Sequence, residues 1–237
     1  GVQDAGGLFQ WSVGSDTAYA SDCSRDGLAL VNLHRATGEP RYREAAVRLG
    51  DALVRWLGTN DVCCGRLSLK NGCGGRELSD NPVYYGEMVP FLLRLGTARH
   101  TAAAERVVAR VTAKFPDVKP FGYSDNFTYS RCLLMLSCAQ YASGRDCSGR
   151  INRLLDFFLR LRHPCGGLCE TAIRLEDHTE AGVGMGDGSD NIADILYCNN
   201  FVFAATDVLS KLPPARRGTV DVAKAKAMAD GLRTFFL

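Results

Sequence analysis

The sequence predicts an all-α fold, an array of about four helical hairpins with apolar inner helices and amphipathic outer ones. Three observations carry this. Apolar residues recur at helical spacing in about eight segments, and little of the chain alternates with the period of a strand. The segments are alternately apolar nearly all round and striped. A Ser-Asp-x triplet behind a glycine-containing loop opens every second segment: Ser21-Asp22-Cys23, Ser79-Asp80-Asn81, Ser124-Asp125-Asn126 and Ser189-Asp190-Asn191.

The first helix is expected near 22–37 and ends at the glycine of ATGEP (36–40). The second, near 41–57, sets Tyr42, Ala45, Ala46, Leu49, Ala52, Leu53 and Trp56 against Arg43, Glu44, Arg48, Asp51 and Arg55. The third and fourth fall near 82–98 and 101–115, with Pro82 at the start, where a missing N–H costs nothing. The fifth, near 125–142, contains FTYSRCLLMLSCAQYA, apolar on all sides and therefore expected to be buried. The turn ASGRD leads to the sixth, near 148–162, where Ile151, Leu154, Leu155, Phe158 and Leu161 form the stripe. The seventh, near 191–210, is again apolar all round (IADILYCNNFVFAATDVL), and the eighth spans about 220–236. The triplets supply the favoured helix-capping residue types, so each is expected to mark the start of a helix.

Composition narrows the function classes. At 46% hydrophobic and 23% charged, 237 residues bury a substantial core, and we read 1–237 as a single hairpin domain. A net charge of +2, with both signs spread along the chain, lacks the basic stripe that nucleic acid requires. No apolar run reaches the roughly 18 residues of a membrane span, and no leader precedes GVQDAGGLFQW, so a soluble chain is expected, processed or excised from something longer. Of the ten cysteines, Cys132, Cys138 and Cys198 lie in apolar helical text and are expected as buried thiols. Cys63, Cys64, Cys73, Cys165 and Cys169 lie in loops; their spacing matches no strong zinc pattern, and disulfides between the loops or free thiols are the alternatives. Neither a metal nor a cofactor is expected.

The segment SDCSRDGLALVNLHRATGEPRYREAAVRLGDALVRWL (21–57), echoed by YSDNFTYSRCLLMLSCAQYASG (123–144), resembles the hairpins of the six-hairpin glycosidase-like superfamily, the (α/α) toroids. That resemblance implies a toroid-like arrangement and action on carbohydrate, most simply glycoside hydrolysis. Sugar epimerases and polysaccharide lyases belong to the same superfamily. A closed ring there has six hairpins and this chain shows four, which leaves an open arc, a piece completed by further hairpins of a longer chain, or a homo-oligomer.

In such an array the inner helices start at one end, so Asp22, Asp80, Asp125 and Asp190 are expected to share a rim, each in the positive field of a helix N-terminus. Asp26 follows Asp22 by one turn on the same face. A glycosidase also needs a protonated acid, for which Glu87, placed one turn inside the third helix, and Glu170 or Glu180 are candidates. Substrate contacts are expected from Trp11, Tyr84, Tyr123 and Tyr129, whose flat faces suit sugar rings, and from Asn126 and Asn191. The loop 163–191, rich in glycine and acids, adds His178, the histidine best placed for an epimerase or lyase. A non-catalytic glycan- or protein-binding domain would use the same rim.

Overall fold

The computed structural model describes residues 3–58, 65–70, 84–114, 126–162, 166–168 and 199–237, with backbone alone at 126–129. The described residues are mostly helical, as expected. They divide into two compact units, Gly1–Phe115 and Pro116–Leu237.

In the first unit a short antiparallel ribbon pairs β1 (Thr17–Tyr19), which leads into the first hairpin, α1 (Ala20–Thr37) and α2 (Pro40–Leu57), with β2 (Arg66–Ser68), which follows it. Tyr19 leaves β1 in extended geometry, and the N–H of Ala20 donates to the Gly65 carbonyl at 3.0 Å. The helix stops at Gly38, whose φ of 73° is left-handed and whose N–H returns to the His34 carbonyl at 2.8 Å. Pro40 then opens α2, whose buried stripe is Ala46, Leu49, Ala52, Leu53 and Trp56.

The second hairpin is α3 (Met88–Leu95) with α4 (Ala98–Lys114). α3 is shorter than the expected 82–98. Pro90 explains the late start: in a helix begun at 82 it would sit in the interior, lacking the N–H that residue 86 needs as a partner. At its observed third position that N–H is not required. Gly96, at φ 70°, ends α3 ahead of the expected residue 98.

α1 and α3 run parallel. Gly27 of α1 faces the ring of Phe91, where an added Cβ would fall 2.5 Å from Cζ. One turn further on, Arg94 Nη1 donates to Asn32 Oδ1 at 3.4 Å. Before α3, the Tyr84 ring packs on Gly65, the residue that receives the first N–H of α1. The N-termini of both inner helices therefore lie at one end of this unit.

The second unit repeats the plan with α5 (Asn126–Ala142), α6 (Ser148–Arg160), α7 (Asn200–Ser210) and α8 (Val222–Phe236). Gly144, at φ 92°, makes the α5–α6 turn, and Asp146 accepts from Ser148 N and Oγ at 3.0 and 2.7 Å at the start of α6. α5 and α7 are parallel as well: Arg131 lies over the Phe201 ring at 5.1 Å near their starts. Tyr141, near the end of α5, donates to the carbonyl of Arg216, beyond the end of α7, at 2.7 Å. α8 runs back along α7 and is capped by Asp221, which accepts from Lys224 N at 3.0 Å.

Two expectations change here. α5 is buried through residues 130–134 as predicted, but α7 buries a single stripe, Val202, Thr206 and Leu209, and leaves Val208 63% exposed. Its described neighbours α5 and α8 cover two sides rather than all. Ser21-Asp22-Cys23 is not a cap either; α1 already starts at Ala20 behind Tyr19, which makes no side-chain cap bond, so the triplet lies within the first turn. Chain direction set by β1 and the Gly65 carbonyl replaces the capping side chain.

Candidate functional site

The shared N-terminal end of α1 and α3 gathers the described candidates of the first unit. Trp11 is 63% exposed on a short loop that is held in shape by its own N–H donating to Thr17 O at 2.8 Å. Its ring meets Tyr19 edge-on, with centroids 5.9 Å apart. Asp16 accepts from Ser68 Oγ at 2.7 Å and from the Lys70 N–H at 2.9 Å, which locks β2 to the entry of β1. It is a positioning residue that the sequence reading missed, since two three-residue strands leave no periodic signal.

Asp22 lies in the first turn of α1 and forms an ion pair with Arg25. Asp26 is exposed one turn later. Partial desolvation first, and the charge of Asp22 after it, hold the Asp26 carboxyl above the usual aspartate value. The two acids thus sit on one face in different surroundings, one neutralised by a guanidinium and one biased toward its protonated form. Beneath them, burial and the carboxylates of Asp26 and Asp22 push the Cys23 thiol up to about 12, so it is a packed thiol and not a nucleophile.

Glu87 is fully buried and immediately precedes Met88. It therefore stands at the mouth of α3, not one turn inside it as the sequence reading had it, because the helix starts later. Its carbonyl accepts from Phe91 N at 3.1 Å, the first turn of that helix. Tyr84 is half-buried against Gly65, while its neighbour Tyr85 is wholly in the core.

No family model, curated protein or solved structure matches the chain, so the site has to be read from its own geometry. In the second unit, Asn126 and Tyr129 fall in the first turn of α5, with backbone alone described. Asp80, Tyr123, Asp125, Glu170, His178, Glu180, Asp190 and Asn191 lie outside the described residues, as do the loop cysteines and Cys198. Cys132, Cys138 and Cys147 are free thiols, and burial pushes Cys138 up to about 12. Among the described residues no three His, Cys, Asp or Glu side chains come together as a metal site, and no helix is long and apolar enough to cross a membrane.

The same end of the second unit holds a polar core that sequence reasoning passed over. Arg131, 4% exposed, lies over Phe201 and donates to Cys132 Sγ at 3.4 Å; Asn199, fully buried, accepts from the Leu168 N–H at 2.9 Å. The signal was available, because Arg131 is the one charge in FTYSRCLLMLSCAQYA and a buried cation is expensive unless held. Two described clefts contain none of the predicted site residues: one of about 560 Å³ in the first unit beside His34, Pro40 and Arg43, and one of about 380 Å³ in the second beside Tyr141 and Arg216.

Proposed function

We propose that the chain is a carbohydrate-active domain, most simply a glycoside hydrolase, acting at the inner-helix N-termini of its first unit. The observation that carries the reading is the convergence of α1 and α3 at one end. The first turns of α1, which bear Asp22 and Asp26, share that end with Glu87 just before α3, with Trp11 beside Tyr19 and with Tyr84 against Gly65. Hydrolysis needs one carboxyl that arrives protonated and one that arrives charged. Asp26, held above its ordinary value, is suited to give a proton to the leaving oxygen. A second carboxylate, the partly exposed Asp22, takes a proton from water as the water oxygen adds to the anomeric carbon. Trp11 offers a flat apolar face for a sugar ring. Asp80, Asp125 and Asp190 enter as further rim acids on the sequence alone.

A second reading, a glycan-binding domain without turnover, draws support from the Asp22–Arg25 ion pair, which engages one of the acids. The two separate in one experiment. Incubation with a panel of α- and β-linked oligosaccharides is expected to release reducing ends, and Asp26→Asn is expected to lower the rate about 10²-fold or more while glycan binding persists. Binding abolished by Trp11→Ala with no turnover of any oligosaccharide assigns the binding role instead. Neither binding nor turnover across the panel removes the carbohydrate reading.

A further inference from the structure

The cleft of the second unit, at the opposite end from the α5 and α7 N-termini, has an unbalanced charge. About 380 Å³ in volume, it is walled by Tyr141, Arg145, Asp146, Arg216 and Gly218. The described part of this unit holds five carboxylates: Asp146, Asp156, Asp207, Asp221 and Asp230. Four are matched to cations elsewhere. Asp156 and Asp221 lie 2.7 and 3.7 Å from Lys224. Asp207 is 2.6 Å from Lys211 and 3.0 Å from Arg233, and Asp230 pairs with Lys226 and with Arg233 at 2.7 Å. The fifth, Asp146, lines the cleft but is occupied by Ser148 N and Oγ at the start of α6, bonds that hold its carboxyl below the usual value.

No described carboxylate is left for Arg145 or Arg216. The guanidinium of Arg216 reaches a carbonyl, Ala142 O at 3.3 Å, and the backbone carbonyl of the same residue receives the Tyr141 hydroxyl at 2.7 Å. Arg216 is thereby fixed at the wall from two sides. Adjacent Arg217 is likewise bonded to a carbonyl, Leu212 O at 2.8 Å, and adds to the positive field. Gly218, at φ 48°, lets the chain pass close to the Tyr141 hydroxyl; a Cβ there would fall 2.9 Å from it. Two forked cations beside one aromatic ring, in a cleft large enough for a monosaccharide and its ester group, match a sugar ring whose C–H face packs on the aromatic ring and which carries an oxyanion.

We propose that this cleft binds the phosphate or sulfate monoester of a sugar-sized ligand. Arg145 and Arg216 grip the oxyanion, and Tyr141 covers the ring. The proposal does not depend on the reading given to the acids of the first unit.

Isothermal titration of the intact chain with glucose 6-phosphate, glucose 6-sulfate, glucose and inorganic phosphate tests this. Both esters are expected to bind and glucose is not; inorganic phosphate alone should bind more weakly than glucose 6-phosphate. Affinity should fall as salt is raised, and by about tenfold or more in each of Arg145→Gln and Arg216→Gln. Arg160→Gln, at the far end of α6, should leave it unchanged. A preference for the phosphate over the sulfate ester identifies a dianion site, and equal affinity identifies a general oxyanion site. Absence of ester binding, equal binding of glucose, or ester binding indifferent to both cleft substitutions would overturn the proposal.

Discussion

Asp26 ties chemistry to stability at the scale of one residue. Because its folded carboxyl is held above the usual aspartate value, the folded state binds the proton more tightly than the unfolded chain does. The charged form is therefore disfavoured in the fold above that value, and the disadvantage disappears as pH falls through it. Asp26→Asn is accordingly expected to leave the melting temperature at pH 7 unchanged or raised while activity is lost. A lowered melting temperature would mean that the carboxylate is structural and would undercut its role as the acid.

His100 behaves in the opposite way. It is 2% exposed, bonded through Nδ1 to Thr97 Oγ1 at 2.7 Å, with Nε2 3.3 Å from Asp51 Oδ1; burial is the main cause of its lowered pKa, with the nearby Asp51 carboxylate opposing. The unfolded chain therefore takes up the proton first. Its contribution to stability is present above the unfolded histidine value of about 6.5 and is lost as pH falls through that value toward the lower folded one. Denaturant titrations should show stability declining over this window in the natural chain and a flatter profile in His100→Gln. Equal slopes in the two would show that His100 is not the group responsible.

At the scale of elements, the contact between α1 and α3 depends on the absence of a side chain at Gly27. A Cβ there would meet three atoms of the Phe91 ring within 2.6 Å, and Phe91 is fully buried. Gly27→Ala is expected to destabilise the first unit by roughly 1–3 kcal/mol through overpacking, despite the better helix propensity of alanine. Phe91→Leu in the same chain should recover part of that loss. A gain in stability from Gly27→Ala alone would mean that the helices are not packed in this register.

Element positions were largely legible in the sequence, because the outer helices carry their stripes openly and Gly38 and Gly144 mark the turns after α1 and α5. What escaped was set by tertiary partners. The ribbon of Thr17–Tyr19 with Arg66–Ser68 is too short to show a period, and the late start of α3 follows from Pro90 rather than from apolar content. Glu87 was misplaced for the same reason: it precedes α3 instead of lying one turn inside it. The Ser-Asp-x triplets looked like caps by residue type, yet at Asp22 the backbone of β1 and Gly65 supplies the helix start, freeing the acid to pair with Arg25.

At the scale of the molecule, each unit sets two inner helices parallel, so each has an end where inner N-termini meet and an end where hairpin turns meet. In the first unit the N-terminal end carries acids and the exposed Trp11. In the second, the turn end carries unmatched guanidinium groups. Function is thus assigned to ends of hairpin pairs, a division that residue patterns alone suggested for the acids and did not suggest for the cations.

The most direct test is to find where a glycan touches the chain. Heteronuclear NMR titration with the oligosaccharides of the panel should shift the Trp11 indole N–H and the amides of Asp22 to Asp26, and the shifts should vanish in Trp11→Ala. Saturable shifts confined to other parts of the chain, with Trp11 and the first turns of α1 unmoved, would contradict the placement of the site.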